Sequence, residues 1–269
     1  MAMNLEIKRF DMNQITHDKV VVLIGKRDTG KSFLCRDILY RHKDIPVGQV
    51  ISGTEGANQF YSKMVPKIFI HDEFKPTIVE NMLKRQQLMI EKMNEQGGGG
   101  TEAVDPRAFL ILDDCLYDNS WSKDKNMRSV FMNGRHYKLL FLLTMQYALG
   151  IPPNLRTNID YVFILRENYV SNRKRLYEHY AGMFPTFEMF CQVMDQCTEN
   201  YECLVINNNA KSNKLSDQVF WYKAEPKPDF KIGGESYWKY SEQNYTKEGG
   251  SEEQIGSKVK NPVTVNKLY

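Results

Sequence analysis

The stretch GKRDTGKS at Gly25–Ser32 constrains the fold more than any other part of the chain. It fits the pattern G-x-x-x-x-G-K-[ST] and lies between a predicted strand at 20–24 and a predicted helix at 32–42. In such a turn the backbone folds round an anion, and the amide groups at the start of the helix supply partial positive charge. This context predicts a phosphate-binding loop. The alternative is a glycine-rich turn that begins a helix and binds nothing.

The residue types inside this loop suit particular atoms of a nucleoside triphosphate. Gly25 and Gly30 permit the tight turn. The Lys31 ammonium can reach the β- and γ-phosphates, and the Ser32 hydroxyl can ligate Mg²⁺. The sequence therefore predicts a site for ATP and Mg²⁺. Its expected residues are Gly25, Lys26, Arg27, Asp28, Thr29, Gly30, Lys31 and Ser32.

Two neighbouring carboxylates, Asp113 and Asp114, follow the apolar run FLIL in the segment FLILDDC at 109–115. Because carboxylates at the end of a buried strand repel each other, a bound cation would offset their cost. We expect Asp113 to ligate Mg²⁺ and Asp114 to orient and polarise the water that attacks the γ-phosphate. The alternative is that Asp114 caps the following turn. Since binding alone needs only Asp113, the second acid favours an ATPase over a passive nucleotide binder.

A glutamine ends a second apolar strand, KLLFLLTMQ at 138–146. If this strand runs parallel to the one that carries the acids, Gln146 lies at the same edge of the sheet. There its amide can hydrogen-bond the γ-phosphate or the attacking water and so act as a sensor of the phosphate. The alternative is a solvated end of a strand.

The order of the predicted elements between residues 20 and 223 is an alternation of strand and helix, which favours an α/β sheet. The predicted helices lie at 32–42 and 76–96, and the latter ends at a GGGG link, 97–100. The predicted strands lie at 20–24, 47–52, 67–74, 108–114, 138–146 and 160–165, with a hairpin from 201–207 to 218–224.

The chain becomes polar from residue 225 onward. We expect a domain at 1–224, followed at 225–269 by a polar extension that is either an extended arm or a disordered tail. Composition places the whole chain in a broad class. The net charge is +3, the five cysteines form no CxxC pair, and no apolar run is long enough to span a bilayer. These features predict a soluble intracellular protein without a disulfide scaffold, a zinc site or a transmembrane segment.

Four segments together resemble a known family. LIGKRDTGKS, FLILDDC, NGRHYKLLFLLTMQ and IPPNLRTNIDYVFIL, in this order, are similar to segments of the genome-packaging ATPases of poxviruses and other large DNA viruses, which belong to the FtsK–HerA group. The resemblance covers about residues 18 to 206. It implies an α/β P-loop NTPase fold of the additional-strand type, in which helices flank a mostly parallel sheet.

The resemblance also implies a function, partners and a location. It implies ATP hydrolysis coupled to translocation of double-stranded DNA into a capsid by a homo-oligomeric ring, a hexamer or a pentamer. Capsid or membrane proteins of the virion are further expected partners. The host cytoplasm, at the site of viral assembly, and the virion are the expected locations.

Residue roles follow from the same resemblance. It assigns the magnesium acid to Asp113, the catalytic carboxylate to Asp114 and the sensor to Gln146. A P-loop motor also needs an arginine that a neighbouring subunit directs at the γ-phosphate. Arg135 in NGRHY is the first candidate and Arg156 in NLRTN is the second. The alternative for Arg135 is an ion pair with a local carboxylate.

Some features have two interpretations. The basic segment at 171–180 either contacts DNA or is a solvated face of a helix, and the methionines of 76–96 favour packing. Lys26 and Arg27 either add charge near the nucleotide or face solvent. Two other functions remain open for the whole chain: a helicase or recombination ATPase, and a nucleotide-gated virion assembly factor without motor activity.

Overall fold

The computed structural model describes residues 5–95, 104–115 and 120–255, with side chains up to residue 245 in the last of these ranges. The predicted GGGG link at 97–100 lies outside the described residues. One mixed sheet runs through the whole described part of the chain. Its strands are β1 Lys8–Arg9, β2 Val20–Ile24, β3 Val47–Ser52, β4 Ile70–His71, β5 Ala108–Asp113, β6 Leu139–Met145, β7 Tyr161–Ile164, β8 Glu202–Asn207 and β9 Val219–Lys223.

The strand order across the sheet is β1-β9-β8-β7-β2-β6-β5-β3-β4. The strands from β7 to β4 in this order are mutually parallel, whereas β8 pairs antiparallel with both β7 and β9. Strand β6 lies between β2, which leads into the phosphate loop, and β5, which carries the acids. This inserted strand confirms the predicted additional-strand fold. Because all three strands run in the same direction, their polar ends meet at one edge of the sheet.

Helices cover both faces of the sheet. Alternate residues of β2 point into two hydrophobic cores, one on each face of the sheet. Helices α3, α5, α7 and α8 pack into one core, and α1 and the C-terminal segment pack into the other. None of the described helices is long and apolar enough to cross a bilayer. The helices are α1 Lys31–Arg41, α2 Glu55–Asn58, α3 Pro76–Glu95, α4 Ser120–Lys123, α5 Lys125–Asn133, α6 Pro153–Arg156, α7 Val170–Tyr180, α8 Phe187–Cys197, α9 Leu215–Gln218 and α10 Glu235–Ile255.

Most predicted elements are present, and one is much shorter than predicted. Strand β4 covers only Ile70–His71 of the predicted 67–74, because a 3₁₀ turn at Lys67–Phe69 precedes it and its backbone pairs only with β3. The predicted hairpin is confirmed by the pairing of β8 with β9. Helix α3 packs on the sheet through buried residues that include Met82, which supports the packing interpretation of this helix.

The segment after residue 224 is ordered as far as it is described, so a disordered tail is the wrong prediction for 225–245. Residues 225–234 run as an extended arm, and α10 was not predicted. The Ile232 amide donates to the Met64 carbonyl at 2.9 Å, and the buried Tyr237 hydroxyl donates to the Gly48 carbonyl at 2.7 Å. A few apolar anchors in a polar stretch hold the segment on the sheet. The predicted domain boundary at 224 stays a prediction, and 256–269 lies outside the described residues.

Candidate nucleotide-binding site

The predicted phosphate loop connects the end of β2 to the start of α1. Gly30 precedes the helix with φ 104°, a left-handed conformation that residues with a Cβ rarely adopt. A Cβ on Gly25 would lie 2.8 Å from Cβ of Leu165 and 2.7 Å from the Thr29 hydroxyl, so the close approach to β7 requires glycine. The two glycines of the motif are therefore needed for the shape of the loop.

Hydrogen bonds from side chains to two backbone carbonyls hold the loop in its closed shape. The Thr29 hydroxyl donates to the Lys26 carbonyl at 2.7 Å, and the Lys31 ammonium donates to the Gly25 carbonyl and, at 3.1 Å, to the Lys26 carbonyl. Burial lowers the pKa of Lys31, and the neighbouring Asp114 and Asp113 carboxylates oppose that shift. A desolvated ammonium beside the helix start is well placed to bind phosphate oxygens.

The carboxylate of Asp113 is held by two hydroxyl groups from neighbouring strands. Thr144 of β6 donates to Asp113 Oδ1 at 2.6 Å, and Ser52 of β3 donates to Oδ2 at 3.0 Å. Burial raises the pKa of Asp113, and the nearby Asp114 charge adds to the rise, while the two hydroxyl hydrogen bonds and Lys31 oppose it. The group is thus fixed in orientation and sits where a cation would stabilise its charged form.

Asp114 and Gln146 meet across the sheet edge, as expected from two parallel strands that end together. Gln146 Nε2 donates to Asp114 Oδ2 at 2.7 Å. The Asp114 backbone has φ 53°, and its amide donates to the Thr144 hydroxyl at 3.2 Å. The structure therefore brings the second acid and the predicted sensor into direct contact. The carboxylate and amide lie on the β5–β6 side of the phosphate loop.

The residues present fit a magnesium ion that is bound together with phosphate. Ser32 and Asp113 line one cavity and offer a hydroxyl and a carboxylate oxygen, which are hard ligands. No group of three or more His, Cys, Asp or Glu that could hold a metal occurs among the described residues. A site with few protein ligands suits Mg²⁺, which keeps several waters and uses substrate phosphates as further ligands.

Lys26 lines the cavity in front of the loop, and its ammonium reaches toward the start of α7. Its ammonium lies 2.6 Å from Glu167 Oε1 and 3.7 Å from the centre of the Tyr169 ring. Glu167 also accepts from the Tyr169 amide at 2.8 Å and from Asn172 Nδ2 at 3.0 Å. Arg27 lines the same cavity and is exposed, and its described contacts include no anchor like the one that holds Lys26.

A cavity of about 770 Å³ extends along the front of the loop. It is lined by the loop itself, including Asp28, and by Asp113 and Asp114. Cavities of several hundred cubic ångströms hold ligands of nucleotide size. The loop, both acids and the start of α1 therefore face one common space.

The predicted arginine Arg135 lies at the other edge of the sheet. It forms an ion pair with Asp160, whose other carboxylate oxygen accepts from the Val20 amide at 2.8 Å. Val20 begins β2, whereas the loop follows its end, so the length of a strand separates Arg135 from its own phosphate site. Its predicted alternative, a local carboxylate partner, is what the structure shows. A role toward a neighbouring subunit stays a prediction.

The second predicted arginine, Arg156, ends α6 in the connection from β6 to β7. Its guanidinium lies 5.9 Å from the centre of the Tyr180 ring, at the end of α7. The Tyr180 hydroxyl in turn donates to the Ala148 carbonyl, two residues after Gln146. Arg156 therefore lies in the connection that follows the strand of Gln146, and the described partner of its side chain is Tyr180, which brings no carboxylate to the guanidinium.

Three residues of the site were not predicted. Thr144 and Ser52 hold Asp113, and Glu167 anchors Lys26. For Thr144 a signal exists in the sequence, since it is a hydroxyl residue inside a strand that is otherwise apolar, two positions before the glutamine. Such a residue needs a hydrogen-bond partner when it is buried.

Comparison with known proteins identifies relatives over most of the chain. No protein-family model matches it. The chain is 41% identical over 246 residues to uncharacterized protein L437 of Acanthamoeba polyphaga mimivirus, covering 91% of this chain and 86% of that protein. It is also 41% identical over 239 residues to uncharacterized protein 075L of Invertebrate iridescent virus 6, covering 87% of this chain and 89% of that protein.

Solved structures with a similar fold include the genome packaging NTPase B204 from Sulfolobus turreted icosahedral virus 2 in complex with sulfate. It has a TM-score of 0.51 and 18% identity, and the match covers 80% of this chain and 100% of that one. B204 in complex with ATP-gammaS also matches, with a TM-score of 0.50, 17% identity and coverage of 78% of this chain and 100% of that one. At this identity the likeness concerns the fold alone. The chain belongs to the family of large-DNA-virus proteins that includes mimivirus L437 and iridescent virus 075L, and its fold is that of P-loop ATPases of the FtsK-like class.

Proposed function

We propose that the chain is an ATP-hydrolysing motor that translocates double-stranded DNA into a viral capsid. One observation carries the hydrolytic part of the proposal. Gln146 donates a hydrogen bond of 2.7 Å to Asp114 at the same edge of the sheet as the phosphate loop. The neighbouring Asp113 is held there by the hydroxyls of Thr144 and Ser52. B204, which shares the fold, is by its description a genome packaging NTPase. The poxvirus branch of the proposal rests on the four sequence segments alone.

Lys31 and the amides of the phosphate loop bind the triphosphate. The Lys31 ammonium now donates to two loop carbonyls and can transfer its donors to the β- and γ-phosphates. Ser32 and Asp113 would hold Mg²⁺, which when bound supplies positive charge to the phosphate oxygens. Thr144 and Ser52 keep the Asp113 carboxylate in the orientation that such a metal requires.

Asp114 and Gln146 carry out the hydrolysis. The Asp114 carboxylate orients a water for attack and accepts its proton, while Gln146 fixes one carboxylate oxygen and leaves the other for the water. Because the same amide is close to where the γ-phosphate would lie, Gln146 exchanges partners when phosphate is present. This exchange makes it a sensor.

A trans-acting arginine completes the proposed site in a ring of identical subunits, hexameric or pentameric. Asp160 neutralises Arg135, whereas the described contact of Arg156 is the Tyr180 ring. Arg156 is therefore the better of the two candidates for reaching a neighbour's γ-phosphate. Residues 171–180, which carry several basic side chains in α7, are a candidate DNA contact.

The host cytoplasm, at the site of viral assembly, is the proposed location, with the virion as the second. All five cysteines are free thiols in the structure, which suits a reducing compartment. Proteins of the capsid or the virion membrane are the proposed docking partners at the assembly site.

Three functions are separated by one set of measurements. The ATPase rate of the full chain is measured with and without duplex DNA, and strand displacement is assayed on a forked duplex. A packaging motor is expected to be stimulated by duplex DNA without separating its strands. Strand separation would indicate the helicase alternative, and a rate indifferent to DNA would indicate a nucleotide-gated assembly factor.

A further inference from the structure

The cavity in front of the phosphate loop contains, besides the acids, a part that is lined by two exposed rings. We name it the aromatic cleft and define it by Phe33, Tyr201, Lys223, Ala224 and Pro226, all of which line the cavity. Phe33 is 66% exposed and Tyr201 is 70% exposed. Large rings left in water beside a ligand cavity indicate a surface that a ligand covers.

The backbone before β8 is bent in a way that directs Tyr201 at the phosphate loop. Asn200 and Tyr201 have φ values of 50° and 65°, so two successive residues with a Cβ adopt the left-handed conformation. This conformation costs free energy and persists at functional sites more often than elsewhere. A Cβ on Gly30 would lie 3.5 Å from Cδ1 of the Tyr201 ring, so the ring borders the loop.

The position of the acids decides which end of a nucleotide reaches the cleft. Asp114 and Gln146 lie on the β5–β6 side of the loop, so the γ-phosphate must point to that side. The rest of the nucleotide then extends toward the β8–β9 side, because the phosphates are held at the start of α1. Tyr201 immediately precedes β8, and Lys223 ends β9, on that same side.

We propose that Tyr201 and Phe33 bind the nucleobase by stacking and that the site accepts purine nucleoside triphosphates without distinguishing adenine from guanine. This inference rests on the proposed function, since it needs a triphosphate on the loop. Stacking uses the face of a base, which every base has, whereas discrimination needs hydrogen bonds to its edge. Of the residues that define the cleft, Phe33, Ala224 and Pro226 offer no such hydrogen bonds. The Lys223 ammonium only donates, so N7 of either purine can accept from it, and the Tyr201 hydroxyl can turn to donate or to accept.

Calorimetric titration of the full chain with ATP, GTP and inorganic tripolyphosphate, each with Mg²⁺, tests the cleft. Tyr201→Ala is expected to weaken ATP and GTP binding about tenfold, the range for one lost base stack, and to leave tripolyphosphate binding unchanged. Phe33→Ala is expected to act in the same direction. Tyr201→Phe keeps the ring and is expected to bind ATP as the wild type does. Tyr245→Ala, an exposed ring on α10, is the matched control.

The outcomes separate the cleft from the function on which it rests. If Tyr201→Ala weakens tripolyphosphate as much as ATP, or weakens neither, the ring does not hold the base and the cleft proposal is wrong. Wild-type affinities for ATP and GTP that differ by about a hundredfold or more would show that the base edge is read and would overturn the lack of selectivity. If Lys31→Ala binds tripolyphosphate as tightly as the wild type, the phosphate site and the proposed function both fail.

Discussion

At the scale of single residues, the hydroxyl of Thr144 connects the two acids. It donates to Asp113 at 2.6 Å and accepts from the Asp114 amide at 3.2 Å, and the residue is only 1% exposed. A hydroxyl has one donor and two acceptor positions, so it can serve both bonds at once. Asp113, the proposed metal ligand, and Asp114, the proposed hydrolytic acid, therefore share one anchor, and a change there should affect both.

Replacement of this hydroxyl tests the anchor. Thr144→Val keeps the shape but leaves a carboxylate oxygen and an amide without their partner, so we expect about 1–3 kcal/mol lower stability toward urea. The rate of ATP hydrolysis is expected to fall about tenfold as Asp113 and Asp114 lose their orientation. Thr144→Ser keeps the hydroxyl and is the control. Full activity of the valine variant would show that the hydroxyl does not position the acids.

Neutral substitutions of the two acids are expected to have different effects, one on ATP binding and the other on hydrolysis. Asp113→Asn should weaken Mg²⁺-dependent ATP binding, because the metal loses its anionic ligand. Asp114→Asn should bind Mg–ATP normally and hydrolyse it ~10²-fold more slowly, the range for a lost general base. Calorimetry for binding and phosphate release for turnover measure the two effects. Equal loss of Mg–ATP binding in both variants would contradict the separate roles.

Site residues that are close in sequence or end similar strands could be predicted, and those that depend on long-range packing could not. The loop, both acids and Gln146 carry local patterns, and their roles stay predictions. Ser52 contacts Asp113 across 61 positions of sequence, which no local pattern encodes. Arg135 precedes β6 whereas Gln146 follows it, so the two residues lie at opposite ends of that strand.

At the scale of elements, the anchoring of Lys26 links the phosphate loop to the start of α7. Burial raises the pKa of the Glu167 carboxyl, but hydrogen bonds from Lys26, the Tyr169 amide and Asn172 outweigh burial, so its pKa lies below the ordinary 4.5. A carboxyl with a depressed pKa in the folded state adds stability above its unfolded pKa. That stability is lost as the pH falls through the lower folded value.

A pH series on one variant measures this link. Glu167→Gln is expected to be less stable than the wild type by about 1 kcal/mol at pH 7, because Lys26 loses its counter-charge. The difference between the two urea midpoints should shrink as the pH falls below 4.5, where the carboxyl begins to take up a proton in the unfolded wild type but not yet in the folded one. Glu178→Gln, an exposed change on α7, is the control. A gap that stays constant down to pH 3 would contradict the assignment.

The C-terminal segment behaves as an element of the fold, although its composition suggested an arm or a disordered tail. Ile232 is 0% exposed, and its neighbours in the core come from the same face of the sheet as α1. Composition averaged over 45 residues hides such anchors, because a short run of apolar residues is enough to attach a polar strand or helix. Helix α8 was not predicted either, although its buried residues Phe190, Val193 and Cys197 recur at helical spacing in the sequence.

Truncation of one anchor tests whether residues 225–245 contribute to stability. Ile232→Ala is expected to lower the free energy of unfolding by about 2–5 kcal/mol, the range for a large aliphatic side chain removed from a core. Urea unfolding of the full chain gives the value, with the exposed Tyr245→Ala as control. If both variants unfold at the wild-type midpoint, the segment does not pack as the structure shows.

At the scale of the whole molecule, the sequence displays plainly which strands form the centre of the sheet. The central strands β2, β5, β6 and β7 are almost entirely buried and apolar, which predicts a parallel sheet covered on both faces. The edge strands β1 and β4, each two residues long, have no such pattern. The centre of the sheet was therefore predictable, while its edges depended on tertiary contacts.

Assembly is the level at which the arginine question is decided. Arg156→Ala is expected to bind ATP normally and to hydrolyse it slowly, because the charge that would reach a neighbour's γ-phosphate is gone. Lys31→Ala is expected to bind no ATP. When the two inactive variants are mixed, an intact phosphate loop on one subunit can meet an intact Arg156 on the next, so part of the ATPase activity should return.

Arg135→Ala in the same mixing experiment separates the two arginines. Because Arg135 pairs with a buried carboxylate at the far edge of the sheet, we expect this variant to lose stability rather than catalysis in trans. A mixture of Arg135→Ala with Lys31→Ala should then hydrolyse ATP only as fast as the Arg135→Ala subunits do alone, without any recovery of activity. Recovery with Arg135→Ala and none with Arg156→Ala would return the role to Arg135. If neither mixture recovers while both variants still assemble, neither arginine acts across a subunit interface.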